Sequence, residues 1–384
     1  MNKNFPVFIA ACAGMLLFGI SLITLGSVAT DLKSKFMLDG VQSGTLFSIL
    51  PFGILTGSFI FGPVCDRYGY KLLLIGACIS MFAGFEGIAY AGSHGVLKTC
   101  IFIFGVGGGI INGATNAVVA DISKENKGAN LSLLGVFFGI GALGMPLILG
   151  LFSKRINSLQ VVAAVGWLTL LVALAYSFVH FPSPKIKERS DAVQWKYLFK
   201  WLLIFIAFFL FFQSSLEAII NNWATTYLTT HSHMTEEKAL YALSLHIVGM
   251  VAMRLLTGSV LRSVQQVRIM WVSLALFAIG ITCIQSGTTQ TIIITGMILT
   301  GAGLAEGFPL MLGFVGERFA HLSGTAFSFV FVVALIGNML INYLMGIIVH
   351  KYGVFHLITV SYIEIAAMAI LFFFISKQLK SNHK

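Results

Sequence analysis

Side-chain amides recur four residues apart at two places in this chain, Asn112 with Asn116 and Asn338 with Asn342, and a third stripe at the same spacing runs Gln213, Glu217, Asn221. On a helix, that spacing puts each set on one face. An amide both donates and accepts hydrogen bonds, which is what a neutral polyhydroxyl ligand requires. Single residues of this kind serve equally well as interhelical hydrogen bonds, worth under about 2 kcal/mol each. Three stripes together favour a binding cavity. Trp223 adjoins the second stripe and offers a flat apolar face on which a sugar ring can stack, whereas Trp167 and Trp271 have no polar stripe beside them.

Five ionisable residues, Glu86, Glu217, Arg254, Glu306 and Glu364, sit in otherwise apolar stretches. A charge at the centre of a bilayer costs about 2.5 to 3.5 kcal/mol on insertion scales, so such residues face a packed interior or a watery path. A buried carboxylate can exchange its charge for a proton, the property a proton-coupled carrier needs. Glu217 leads as the acid for ligand or ion because it shares a face with Gln213 and Asn221, and Glu306, in a glycine-rich stretch, comes second. Arg254 either snorkels to a membrane surface or pairs with an acid across a cavity. His246 reads as a packing residue, and Glu86 and Glu364 read as structural.

The elements that must hold these residues are membrane helices. Of the 384 residues, 57% are hydrophobic and 10% charged, against about 25% charged in a soluble domain. A net charge of +10 then concerns orientation in the bilayer rather than nucleic acid. Cys12, Cys65, Cys78, Cys100 and Cys283 are scattered without metal-ligand spacing and read as packing residues; no metal or cofactor is expected beyond a coupling ion, H+ or Na+. Ile9 to Cys12 has the form of a lipoprotein cleavage box, but the apolar run continues to about Ala29, as a first spanning helix would.

At about 20 residues per crossing, twelve spans are expected, near 6–30, 42–64, 71–91, 96–120, 129–152, 159–181, 197–228, 239–261, 267–286, 290–315, 322–349 and 354–376. With the N-terminus inside, sixteen Lys and Arg fall in inside segments and seven in outside ones, which predicts both termini in the cytoplasm; the membrane expected is a bacterial inner membrane. The longest hydrophilic connection, 182–196, separates an expected N-terminal six-helix bundle, 1–181, from a C-terminal one, 197–384. The halves match at an offset of 196: Gly62 with Gly258, Gly105 with Gly301, Gly107 with Gly303, Gly128 with Gly324, Ile140 with Ile336, and Gly141 with Gly337. A duplicated six-helix bundle accounts for one register held through four helices.

After the second span runs Gly62, Pro63, Val64, Cys65, Asp66, Arg67, Tyr68, Gly69, Tyr70, Lys71. Gly62 permits close helix approach and Asp66 can engage a neighbouring helix end. This stretch resembles the loop signature of the major facilitator superfamily, with Tyr70 where an Arg is usual. The resemblance implies an all-α fold of twelve membrane helices in two pseudo-symmetric bundles. It also implies that Asp66 and Arg67 gate the outward-open state. Only Gly258 and Arg262 preserve the pattern in the second half.

A narrower likeness, to the fucose, glucose and galactose permeases and the sodium-dependent glucose transporters, is carried by several stretches. They are Asn112 to Asn116, Phe138 to Ala142 with Pro146, Glu217 with Asn222, Trp223 and Tyr227, and Gly301, Gly303, Phe308 and Pro309. It departs from the fucose permeases in having no acid in the middle of the first span, Asp31 lying too near the outer end, so a proton carrier would have moved. By this resemblance the three amide stripes converge on a central cavity. The expectation is a monomeric symporter in the lipid bilayer, carrying a small polar solute, a sugar or sugar derivative, with a proton or sodium ion. An exporter of drugs or metabolites is the alternative, since Gly139, Gly141, Gly144 and Pro146 are similar to the exporters' glycine-proline motif. A membrane enzyme is remote because the sequence shows no catalytic constellation at helical spacing, a sensor is remote because it would normally add a soluble signalling domain, and ATP drive is not expected because no nucleotide-binding loop is present.

Overall fold

The described residues of the computed structural model are 4–38, 40–152, 157–185 and 200–381. Most of the connection expected at 182–196, together with Lys3, Lys154, Arg155 and Lys384, lies outside them. The helices are α1 (Phe5–Ser27), α2 (Ala29–Phe36), α3 (Gly40–Tyr68), α4 (Tyr70–Tyr90), α5 (His94–Ile122), α6 (Lys127–Phe152) and α7 (Ser158–Phe178). They continue with α8 (Trp201–Thr230), α9 (Glu236–Gly258), α10 (Gln266–Ser286), α11 (Gln290–Leu304), α12 (Gly307–Arg318), α13 (Ser323–Tyr352) and α14 (His356–Ser381). Twelve spans among them are long and apolar enough to cross a membrane, α11 and α12 counting as one. The first expected span is shorter than its apolar run, since α1 ends at Ser27 and the polar Ala29–Phe36 stretch forms a separate short helix.

Local sequence explains the helix starts. Ser93 accepts a hydrogen bond from the Val96 amide, Asn157 from Leu159 and Thr289 from Ile292, capping α5, α7 and α11. Gly69, at φ +84°, makes the one-residue turn between α3 and α4, a conformation that favours glycine.

Two compact units emerge. The N-terminal unit is Met1–Lys124, Leu134–Val193 and Phe319–Ser328; the C-terminal unit is Glu125–Leu133, Gln194–Arg318 and Phe329–Lys384. In the first, α3 and α4 both pack on α5, α7 on α4 and α1 on α5; in the second, α10 and α9 pack on α11, and α14 on α8. The repeat offset seen in the sequence recurs as matched close contacts. A Cβ on Gly105 would run into the carbonyl of Leu50, and one on Gly301 into that of His246, 196 residues further on. Gly53 meets Phe102 as Gly249 meets Ile298, and Gly107 meets Met81 as Gly303 meets Phe277. Backbones approach this closely only where side chains are absent, so the glycines sit where helices cross.

Candidate functional site

The tenth span is interrupted at Ala305 and Glu306, and the sequence explains the place. Pro309 has no N–H, so the Ala305 carbonyl four residues earlier loses its helical donor. Arg254 on α9 replaces it, Nε donating to Ala305 O at 3.1 Å, and Gln213 on α8 donates from Nε2 to Leu304 O at 2.7 Å. Leaving such a buried carbonyl unpaired would cost about 1 to 3 kcal/mol. Gly307 fits beneath Gln213, where a Cβ would collide with its side chain. Gln213 is 1% exposed and serves the broken helix rather than an open face.

Glu306 lies inside this break and is fully buried. The Ser132 hydroxyl, on α6, donates to its Oε2 at 2.5 Å. Its Oε1 and the hydroxyl of Thr257, one turn along α9 from Arg254, are both buried without a hydrogen bond, although Thr257 lies beside the carboxyl. The Arg254 charge acts on both Glu306 and Glu217. The C-terminal unit therefore holds two acids under one guanidinium at a discontinuous membrane helix. In transporters, such helices are where ions and substrates bind.

The other expected site residues separate. Glu217 is half-buried and Asn221 is exposed on α8. Trp223 donates from its indole to Asn342 Oδ1 at 3.2 Å, and Asn338 donates to Ser214 O at 3.2 Å, so both α13 amides engage α8. In the N-terminal unit the Asn116 amide donates to Asn112 O at 2.8 Å and to Asn112 Oδ1 at 3.2 Å; Asn112 is half-buried and Asn116 buried. Away from these, the buried Glu364 accepts from Ser215 at 2.6 Å, and His246 pairs with Thr300 at 3.0 Å.

The loop after α3 closes on the start of α13. Asp66 is 1% exposed and accepts from the Gly324 amide at 3.2 Å and from the Thr325 amide and hydroxyl, each at 2.7 Å. A carboxylate on the first amides of a helix satisfies unpaired donors and meets the positive end of the helix dipole. Pro63 leaves the Phe59 carbonyl without its helical donor, and Ser328 Oγ takes it at 3.0 Å. A Cβ on Gly62 would stand 2.5 Å from Gly324 O. Arg67 is exposed and lies over the Tyr68 ring.

The sequence model of the Major Facilitator Superfamily matches residues 7–340. The chain belongs to the Major Facilitator Superfamily. Among its relatives, the human sodium-dependent glucose transporter 1 is 23% identical, over 89% of this chain and 73% of its own length. The gentisate transporter of Corynebacterium glutamicum is 22% identical, over 86% of this chain and 78% of its own. The solved structure of the E. coli fucose:proton symporter superposes with a TM-score of 0.79 at 18% identity, covering 98% of this chain and 99% of that one. As a member of the superfamily, the protein is a multi-pass transporter and not an enzyme.

Several residues of these clusters escape a reading of the superfamily motifs alone. Ser132 is one, yet it matches Ser328 at the repeat offset, and each hydroxyl bonds the other repeat half. Asp121, Lys185 and Ser323, at the ends of elements, carry no local signal; only the fold brings them together.

Proposed function

We propose that this transporter is a symporter that takes up a small polar solute, a sugar or sugar derivative, by alternating access, driven by a proton or sodium gradient. The observation that carries the reading is the buried Glu306, held by Ser132 at a broken helix whose freed carbonyls are taken by Gln213 and Arg254. A buried acid can gain and lose a cation inside the membrane, which is the requirement for coupling, and when Glu306 is neutralised the Arg254 charge still has Glu217 to balance it. Glu217, under the same guanidinium, is the second coupling candidate and the one placed to reach solute. Asn112, Asn116, Asn221 and Trp223, with Asn338 and Asn342 positioned through α8, supply amides and an aromatic face for hydroxyl groups. Asp66, Gly62 and Arg67 act as the gate. The protein functions as a monomer in a bacterial inner membrane with both termini cytoplasmic, and its halves, 1–181 and 197–384, are the moving bodies.

A carrier of aromatic acids is the second reading, favoured by the likeness to the gentisate transporter and by the buried Arg254, which could receive a carboxylate. Proteoliposomes loaded against imposed proton or sodium gradients decide between them. Accumulation of labelled glucose or fucose supports the sugar reading, accumulation of gentisate supports the second, and flux independent of either gradient removes symport. In the same assay Glu217→Gln is expected to weaken solute uptake. Unchanged binding and coupling in that variant would take Glu217 out of the mechanism.

A further inference from the structure

We propose that Lys185, in the connection that follows α7, is the clip that keeps the start of α13 seated in the N-terminal unit, and so a positioning residue for alternation. Its ammonium pairs with Asp121 Oδ2 at 2.8 Å and also donates to the Ser323 hydroxyl at the first position of α13. Its backbone amide donates to Asp66 O at 2.9 Å, and Pro184 before it packs against the Gly69 turn. Asp121 in turn accepts from Tyr70 at 2.5 Å and from Ser323 at 2.8 Å. Two carboxylates, Asp66 and Asp121, thus hold three successive residues of α13, Ser323, Gly324 and Thr325, and Lys185 touches the backbone of one and the side chain of the other.

Among the described residues, Lys185 is the cation that ion-pairs with a carboxylate in this corner. Tyr70 stands where the superfamily signature carries an Arg, and a phenol donates a hydrogen bond but brings no cation. Arg67 points away, exposed over Tyr68. The Lys185 and Asp121 side chains are 19% and 9% exposed, so the pair is largely shielded from water. Removing one partner of such a pair leaves the other charge uncompensated, which costs far more than breaking an exposed pair. The connection between the halves is therefore fastened at the point that α13 must leave for this end of the transporter to open. This holds whichever solute or ion is carried.

Cys65 provides a built-in reporter. It is 2% exposed, precedes Asp66 and lies within electrostatic reach of Lys185 and Asp121. In a variant whose other four cysteines are alanine, the rate of Cys65 alkylation by a maleimide in nanodiscs reads the opening of this corner without any substrate. Lys185→Gln is expected to label about fivefold faster than the parent, Lys185→Arg to stay within about twofold of it, and Asp121→Asn to accelerate as Lys185→Gln does. Equal rates for parent and Lys185→Gln, or equal acceleration by Gln and Arg, would overturn the proposal. A purely structural Lys185 would lower the melting temperature of Lys185→Gln while leaving labelling well below the transition unchanged, which also counts against it. Since no solute is present, failure here is separate from failure of the symport reading.

Discussion

Ser132 on α6 donates a 2.5 Å hydrogen bond to Oε2 of Glu306 in the break between α11 and α12. A hydroxyl on a carboxylate contributes about 1.5 to 3 kcal/mol, roughly twice a neutral pair. In the proposed symport cycle, a change of charge on Glu306 acts on α6 through this one bond. Glu306→Gln keeps the shape but fixes the charge at zero. It should preserve solute exchange while abolishing accumulation against a gradient, measured as counterflow beside ion-driven uptake in the same proteoliposomes. Gradient-driven accumulation at the parent level in Glu306→Gln would remove Glu306 from coupling.

Ser132→Ala should lower ion-driven accumulation in the same direction while leaving the acid in place. Thr257→Val removes a hydroxyl that makes no bond in this geometry, and should leave the melting temperature close to the parent's. If the valine variant also loses coupling, the Thr257 hydroxyl pairs with Glu306 during the cycle. Thermal melts and uptake on the two variants separate these outcomes.

Asp66 makes three hydrogen bonds to Gly324 and Thr325, two from backbone amides at the α13 start. Asp66→Asn retains an acceptor oxygen but loses the charge that meets the helix dipole, worth about 0.3 to 1 kcal/mol. Asp66→Ala also orphans buried amides, at about 1 to 3 kcal/mol more. Melting temperatures should therefore rank parent, Asn, then Ala, and Thr325→Val should fall nearer the parent than Ala does. Identical melts for all four would mean that the cap carries no stability.

The twelve spans, the repeat and the engagement of a helix end by Asp66 were legible in the sequence because apolar length, glycine register and a signature loop each leave a local pattern. The break in the tenth span was half legible: Pro309 marks a lost donor, but nothing local says that Gln213 and Arg254 take up the freed carbonyls. Gln213 is the instructive case. Its spacing from Glu217 places both on one side of α8, yet Gln213 is spent on Leu304 while Glu217 stays half-buried, a difference decided by a neighbouring helix. The Asp121, Lys185 and Ser323 cluster draws on three distant segments and was invisible for the same reason.

The glycines provide the sharpest stability contrast. Gly301 is so close to the His246 carbonyl that any side chain must push α9 and α11 apart, whereas a Cβ on Gly144 meets nothing within 4 Å. Overpacking a tight crossing costs about 1 to 3 kcal/mol, while Gly to Ala in an open helix position gains up to about 1 kcal/mol in helix propensity. Gly301→Ala should therefore melt lower than the parent and Gly144→Ala equal or higher, followed by thermal aggregation in detergent. Gly105→Ala, at the matching crossing against Leu50 in the N-terminal unit, should fall with Gly301→Ala. If Gly105→Ala instead melts with Gly144→Ala, the two crossings are not energetically equivalent, and the 196-residue repeat preserves their geometry without their tightness.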